Sequence, residues 1–150
     1  MKIQIYNKQK KFPINSEQIS KIIRKFFKSK YKNANLSNYQ IYVSFVSKKK
    51  IIELNKIVFT KDYLTDVISV PVEPFEENII DDVSPKVFGE IFICPYAANL
   101  QRKEYNNTLK QELNLLVIHG LLHIIGYDDI DENDRKIMRK QEIIMLKICS

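Results

Sequence analysis

The sequence predicts an α+β fold, a small mixed β-sheet packed with helices in a single domain over residues 1–150. Two observations carry that expectation. Short segments that alternate, or that concentrate β-branched residues, interleave with longer segments of helical apolar spacing in the order β-α-β-α-β-β-α-α-α. The 150 residues contain no internal repeat and no linker-like stretch, which suits one core burying roughly two thirds of the unfolded surface.

The elements follow in order. MKIQIYN alternates polar and apolar residues as a strand does. Ser16 is the expected N-cap of a helix whose residues Ile19, Ile22, Ile23, Phe26 and Phe27 share one face, up to about Lys30. Asn33 to Asn38 reads as a turn and YQIYVSFV (39–46) as a strand. Lys48 to Phe59 carries Ile51, Ile52, Leu54 and Val58 at helical spacing. Val67 to Val70 is a strand that Pro71 stops, and residues 73–86, acidic and broken by prolines, form a surface loop. VFGEIFIC (87–94) is a further strand, and Pro95 opens a short helix through Ala97, Ala98 and Leu100. Thr108 to Ile125 is the strongest helix, with Gly126 as its left-handed cap. A last helix, about Asp131 to Lys147, starts with acids that suit its dipole.

Composition excludes several classes. No apolar run approaches the ~20 residues that span a bilayer, so no membrane partner is expected. The first residues are polar and strand-like rather than signal-like, so a cytoplasmic chain is expected. Cys94 and Cys149 lie far apart and outside any C-x-x-C pattern, so neither a disulfide framework nor a thiolate metal site is expected. The net charge of +6 suits a polyanion such as RNA and equally suits simple solubility. Lysines cluster at Lys8, Lys10 and Lys11, from Lys21 to Lys32, and from Lys48 to Lys50, while the C-terminal third is nearly balanced.

Both histidines lie in the run ELNLLVIHGLLHIIGYDD. Four residues separate His119 from His123, which stacks two imidazoles on one helix face, the arrangement that clamps a divalent metal. Asp129 returns after Gly126, completing H-x-x-x-H-x-x-G-x-x-D. Three protein ligands with a fourth position open is the composition of catalytic zinc. Core histidines that bind nothing also occur at this spacing, but the glycine and the trailing acids favour a ligand set. Metzincin-type metallopeptidases share the spacing and carry a glutamate directly after the first histidine as the general base. That position is Gly120 here, and no peptidase of that mechanism works without the carboxylate. Glu112, seven residues before His119, is either a partner that orients a histidine or a solvated glutamate.

The stretch HGLLHIIGYDD (119–129) resembles the HGxLHLxGYDH signature of the YbeY family. Thr65 to Pro71, TDVISVP, resembles the family's TDVLSFP, and Gly89 to Cys94, GEIFIC, resembles GDIxIC. Leu54-Asn55 and Lys61-Asp62 fit the segment between, so the resemblance runs from about residue 50 to the C-terminus. It implies an α+β fold with a zincin-like metal-binding helix and one Zn2+ held by His119, His123 and Asp129. It also implies a single-strand-specific endoribonuclease that acts in 16S rRNA maturation and ribosome quality control, with single-stranded rRNA and the small ribosomal subunit as partners. Asp66 and Ser69, on the TDVLSFP-like strand, are candidate walls of the substrate cleft, or residues that merely hydrogen-bond the sheet.

Two residues depart from the family pattern. Asp129 stands where the family has its third histidine. A carboxylate is a legitimate zinc ligand, but it lowers the charge of the centre, acidifies its water less, and also suits Fe2+ or Mn2+. Phe59 stands where the family has an arginine, the natural partner of a phosphate. Val58 replaces the neighbouring tyrosine and Leu64 a proline. Lys56, Lys61 and Arg102 are the cations available as substitutes, and Lys61 joins Asp66 and Ser69 as a candidate substrate-binding residue. Two readings result: a metal-dependent endoribonuclease, and a maturation factor that binds rRNA or a small-subunit protein and cleaves poorly or not at all.

Overall fold

Among the described residues, nine elements form in the predicted order. In this computed structural model, which describes residues 1–77 and 84–150, they are β1 (Lys2–Asn7), α1 (Ser16–Lys30), β2 (Tyr39–Phe45), α2 (Lys48–Phe59), β3 (Val67–Pro71), β4 (Lys86–Ile93), α3 (Pro95–Gln101), α4 (Leu109–Ile124) and α5 (Glu132–Cys149). The strands make one mixed sheet in the order β1-β2-β4-β3, with β1, β2 and β4 parallel and β3 antiparallel to β4.

Alternation along the strands divides the core between the two faces. Ile41, Val43, Ile91 and Ile93 pack toward α1, α4 and α5, with Ile23, Phe26, Val117 and Leu121 among their partners. On the other face Val46, Ile51, Ile68 and Phe92 pack beneath α2. Among the described residues, no helix is long and apolar enough to cross a membrane.

Two expected boundaries are corrected. Asn15, not Ser16, caps α1: its Oδ1 accepts from the Gln18 N–H at 3.1 Å, and Ser16 is already helical. Both side chains can cap, and the one that reaches the third helical N–H sets the boundary. Pro71 does not stop β3 but belongs to it, paired with Gly89. β3 is an edge strand, where the N–H that proline lacks is not needed by a second neighbour. The predicted loop over 73–86 lies partly outside the described residues. The ladder continues past β3 into its first residue, through Val72 N–H to Phe88 O and Glu73 N–H to Val87 O, each at 2.9 Å.

The helix that carries both histidines is closed at each end. A capping box joins Thr108 and Gln111, each side chain accepting the other's backbone N–H at 3.1 and 2.8 Å. At the other end Gly126 adopts φ +109°, Gly126 N–H bonds His123 O and Tyr127 N–H bonds Leu122 O, both at 3.0 Å. That is the Schellman arrangement, and it reverses the chain directly after His123.

Glycines set the seat of α4 on the sheet. A Cβ on Gly89 would collide with Ile124 Cδ1 and stand 2.7 Å from the Val70 carbonyl oxygen. A Cβ on Gly120 would stand 2.9 Å from Ile91 Cγ2 and 3.1 Å from Ser69 Oγ. Strand and helix therefore each lend a glycine to the other's isoleucine, with α4 running antiparallel to β4. The position after His119 points into the sheet, so the missing peptidase glutamate has no room there.

Candidate metal centre

α4 presents His119 and His123 one turn apart, their rings edge to face at 4.6 Å between centroids. Their Nε2 atoms approach to 3.1 Å. Asp129 Oδ2 lies 3.3 Å from His123 Nε2 and 3.6 Å from His119 Nε2. Each residue offers one ligand atom, and the three lie within 4.8 Å of one another. Ligand bonds of about 2.0–2.1 Å in a tetrahedron imply ligand–ligand edges of roughly 3.4 Å, so these donors fit a divalent ion. The sequence expected this group, and the structure brings all three residues together.

The loop that returns Asp129 is tied at both ends. Lys30 of α1 donates to Tyr127 Oη at 3.2 Å and to Gln141 Oε1 of α5 at 2.6 Å, with its ammonium 5.0 Å from the centre of the Tyr127 ring. Asp131 caps α5 by accepting from Asp134 N–H at 2.8 Å, and Arg135 donates to Ile130 O at 2.9 Å. Asp129 is thus held between two fixed segments although it is itself exposed.

Glu142 is the residue that sequence reasoning missed. Its Oε2 lies 3.4 Å from His119 Nδ1, and the side chain is buried. A carboxylate at Nδ1 keeps the proton there and turns the Nε2 lone pair toward His123 and Asp129. Burial alone would push the His119 pKa down. The bond and charge of Glu142, with the charges of Asp129 and Asp66, outweigh it, and the net direction is up from 6.5. Glu142 shares the buried stripe Met138, Glu142, Met145, Cys149 of α5, and a lone carboxylate in such a stripe was the available signal.

Glu112 is buried rather than solvated, and its Oε2 accepts from Asn107 Nδ2 at 3.2 Å instead of orienting a histidine. Burial, then the negative charges of Asp66 and Glu142, raise its pKa. Asp66 is raised by burial as well, against hydrogen bonds from backbone N–H groups and the nearby His119. Asp66, Glu112, Arg139, Glu142 and His119 share the wall of a hollow of about 380 Å³. A second hollow, about 400 Å³, reaches His123 from the side of Pro71 to Phe75. His119 thus opens on the first lobe and His123 on the second.

The other expected residues are less central. Ser69 Oγ is closed to solvent beneath Gly120 and has no hydrogen-bond partner among the described residues. Lys61 is exposed, its ammonium 5.9 Å from the centre of the Tyr63 ring, and it lines neither hollow. Phe59 is exposed at the end of α2, before Thr60 in the left-handed conformation. Arg102 is engaged by Asn99 Oδ1 at 2.7 Å and by the Asn107 carbonyl. The cation that does face the cleft is Arg139, which the sequence did not single out.

A family model described as Endoribonuclease YbeY matches residues 4–149. The chain belongs to the YbeY family. A YbeY endoribonuclease of Finegoldia magna is 41% identical over 98% of this chain and 93% of its own. One of Staphylococcus carnosus is 35% identical over 89% of this chain and 87% of its own. A Thermotoga maritima protein known from a solution structure is 28% identical, covers 98% of this chain and 88% of its own, and superposes with a TM-score of 0.63. The YbeY match spans both halves of the cleft, the β3 wall as well as the helix that carries the histidines.

Proposed function

We propose that this chain is a metal-dependent endoribonuclease that cuts single-stranded rRNA in 16S rRNA maturation and ribosome quality control, in contact with the small ribosomal subunit and in the cytoplasm. The observation that carries the reading is the set of donor atoms on His119, His123 and Asp129, at tetrahedral spacing and backed by Glu142, in a chain of the YbeY family. α4 then serves as a zincin-like metal-binding helix. Zinc is the ion the two imidazoles favour, with Fe2+ or Mn2+ compatible with the carboxylate. When bound, it supplies a positive centre that polarises a water or a phosphate oxygen.

The chain's own residues do the rest. Asp66, Glu112 and Glu142 make this lobe acidic, so a phosphate enters only where cations offset them. Arg139 is the guanidinium placed to hold a phosphate oxygen, and Lys61 is a peripheral contact at most.

A second reading is favoured by one observation. Phe59 leaves the end of α2 apolar and exposed where the family pattern has an arginine, which suits a factor that binds rRNA or a small-subunit protein without cutting. Cleavage of labelled single-stranded and duplex RNA, with chelator and with zinc or manganese restored, tests the two. Metal-dependent cutting of the single strand supports the nuclease. In Phe59→Arg the rate is expected to rise about tenfold or more, as a restored phosphate contact does. An inert parent that holds metal and stays inert as Phe59→Arg is a binding factor.

Glu142→Gln is expected to weaken zinc binding about 10–100-fold at neutral pH, the usual cost of losing a partner behind a metal-bound histidine. Competition titration with a chromophoric chelator reads it, and unchanged affinity would separate Glu142 from the site.

The pH profile of binding should shift as well. Protons compete for His119, so affinity is full above its folded pKa and falls as pH drops through it. Because that pKa is raised, the parent is expected to start losing metal at a higher pH than an ordinary histidine site. In Glu142→Gln the largest raising influence on His119 is gone, and the fall begins at lower pH than in the parent. In the metal-free parent the raised His119 contributes stability that is present below the unfolded value of 6.5 and is lost as pH rises through the folded one. A profile that does not move between parent and variant would contradict this account.

A further inference from the structure

The chain's lysines gather away from the metal centre, and four of them form a groove. Lys8, Lys10, Lys11 and Lys48 line a hollow of about 410 Å³, with Phe12 and Tyr96 between them and, among the described residues, no carboxylate in its wall. It lies where β1 and β2 end, since Lys8 N–H bonds the Phe45 carbonyl at 2.8 Å and Lys48 opens α2. Among the described residues, none of the four makes an ion pair. The ammonium groups of Lys11 and Lys48 lie 5.3 and 5.1 Å from the centre of the single Tyr96 ring. Like charges gathered this closely without a counter-charge raise the energy of the free protein, and an anion relieves it.

The loop that displays these lysines is a built one. Gln9 accepts from the Phe12 N–H at 2.9 Å and donates to the Phe12 carbonyl and to Asn7 Oδ1, each at 2.8 Å. Its amide closes the turn from inside while Lys8, Lys10 and Lys11 stand outward. A loop already ordered in this way loses little entropy when it binds.

We propose that this groove docks the phosphodiester backbone of single-stranded RNA, its ammonium groups, gathered around Phe12 and Tyr96, meeting the phosphate oxygens. The choice of RNA as occupant rests on the ribonuclease reading. α3 joins the two places: Tyr96 near its start lines the groove, and Gln101 at its end lines the hollow beside His119. At ~1.5 Å per residue, helix α3 spans roughly 10 Å, so the groove and the hollow beside His119 are lined from the two ends of one short helix. The groove thereby fixes affinity for longer RNA while the cleft cuts.

The test is fluorescence anisotropy with a labelled oligouridylate of roughly ten nucleotides, in chelator so that nothing is cut. Parent is compared with Lys8→Gln/Lys11→Gln/Lys48→Gln and with Lys28→Gln/Lys140→Gln/Lys147→Gln, which removes equal charge from exposed lysines outside the groove. Each lost phosphate contact lowers the salt slope by ~0.7, so the groove variant should lose about 2 in slope and about 100-fold in affinity near 0.1 M salt. The control should keep most of its affinity. With metal restored, the groove variant should raise KM for long RNA and leave kcat unchanged.

Equal loss in both variants would overturn the proposal, as would parent binding of polyglutamate as tightly as RNA. An unchanged KM in the groove variant beside intact metal-dependent cleavage sinks the groove alone. Absent cleavage beside a groove-specific loss of binding sinks the nuclease reading alone.

Discussion

An Asp129→Ala protein is expected to emerge from purification, without added metal, holding almost none, while the parent holds about one ion per chain. The carboxylate is one of only three donor atoms, and no other carboxylate among the described residues belongs to the group. Its loss leaves two imidazoles, and affinity should fall by more than the 10–100-fold that follows removal of an outer partner. The fold should survive. Asp129 is exposed, it caps no helix, and the neighbouring turn is held by Gly126, Tyr127 and Asp131. Circular dichroism should therefore match the parent without metal. With saturating zinc the parent gains about 2.7 kcal/mol when free metal is 100 times Kd, a rise the variant lacks. Asp129→His, which restores the family residue, is expected to keep the metal. A full equivalent of zinc in Asp129→Ala would show that the carboxylate is not a ligand and would remove the main support for a hydrolytic centre.

Why the sequence revealed the ligands but not their surroundings follows from how far apart the partners lie in the chain. His119, His123 and Asp129 belong to one helix and the turn after it, so spacing of four and a glycine cap suffice to bring them together. Glu142 reaches His119 only because α5 folds back along α4, and Arg139 enters the cleft by the same packing. Helical spacing identifies the face on which Glu142 sits but not the element that covers it. The burial of Glu112 and of Ser69 Oγ is likewise a property of the assembled layers. In the fold, local patterns located the elements: periodicity for the long helices, β-branched runs for strands such as β3, and Pro95 for the start of α3. Strand order was not legible, because pairing β2 with β4 and leaving β3 at the edge is a choice among distant segments. Pro71 was misread for that reason: a proline stops a central strand, and only the sheet order shows that β3 is not one.

Gly89→Ala is the stability change expected to cost most for the smallest alteration, about 3 kcal/mol, at the upper end of what overpacking costs. The added methyl group meets Ile124 Cδ1, which can rotate away, and the Val70 carbonyl oxygen at 2.7 Å, which cannot move without shifting the β3–β4 ladder. For a chain of this length the melting temperature should fall by roughly 6–12 °C. Gly120→Ala sets the comparison. Its nearest neighbours, Ile91 and Ser69, are side-chain atoms at 2.9–3.1 Å, and alanine gains ~1 kcal/mol of helix propensity, so its net cost should stay within about 1 kcal/mol. Ile124→Val, added to Gly89→Ala, removes the first collision and leaves the second, and should recover only part of the loss. The consequence reaches the metal as well. Ile124 adjoins His123, so lifting the end of α4 moves one imidazole away from Asp129. Metal affinity is expected to fall in Gly89→Ala although no ligand has changed, and to recover in step with stability when Ile124→Val is added. Thermal melts paired with metal titration decide it: loss of stability with undiminished affinity would mean that α4 does not need its seat on β4 to hold the site.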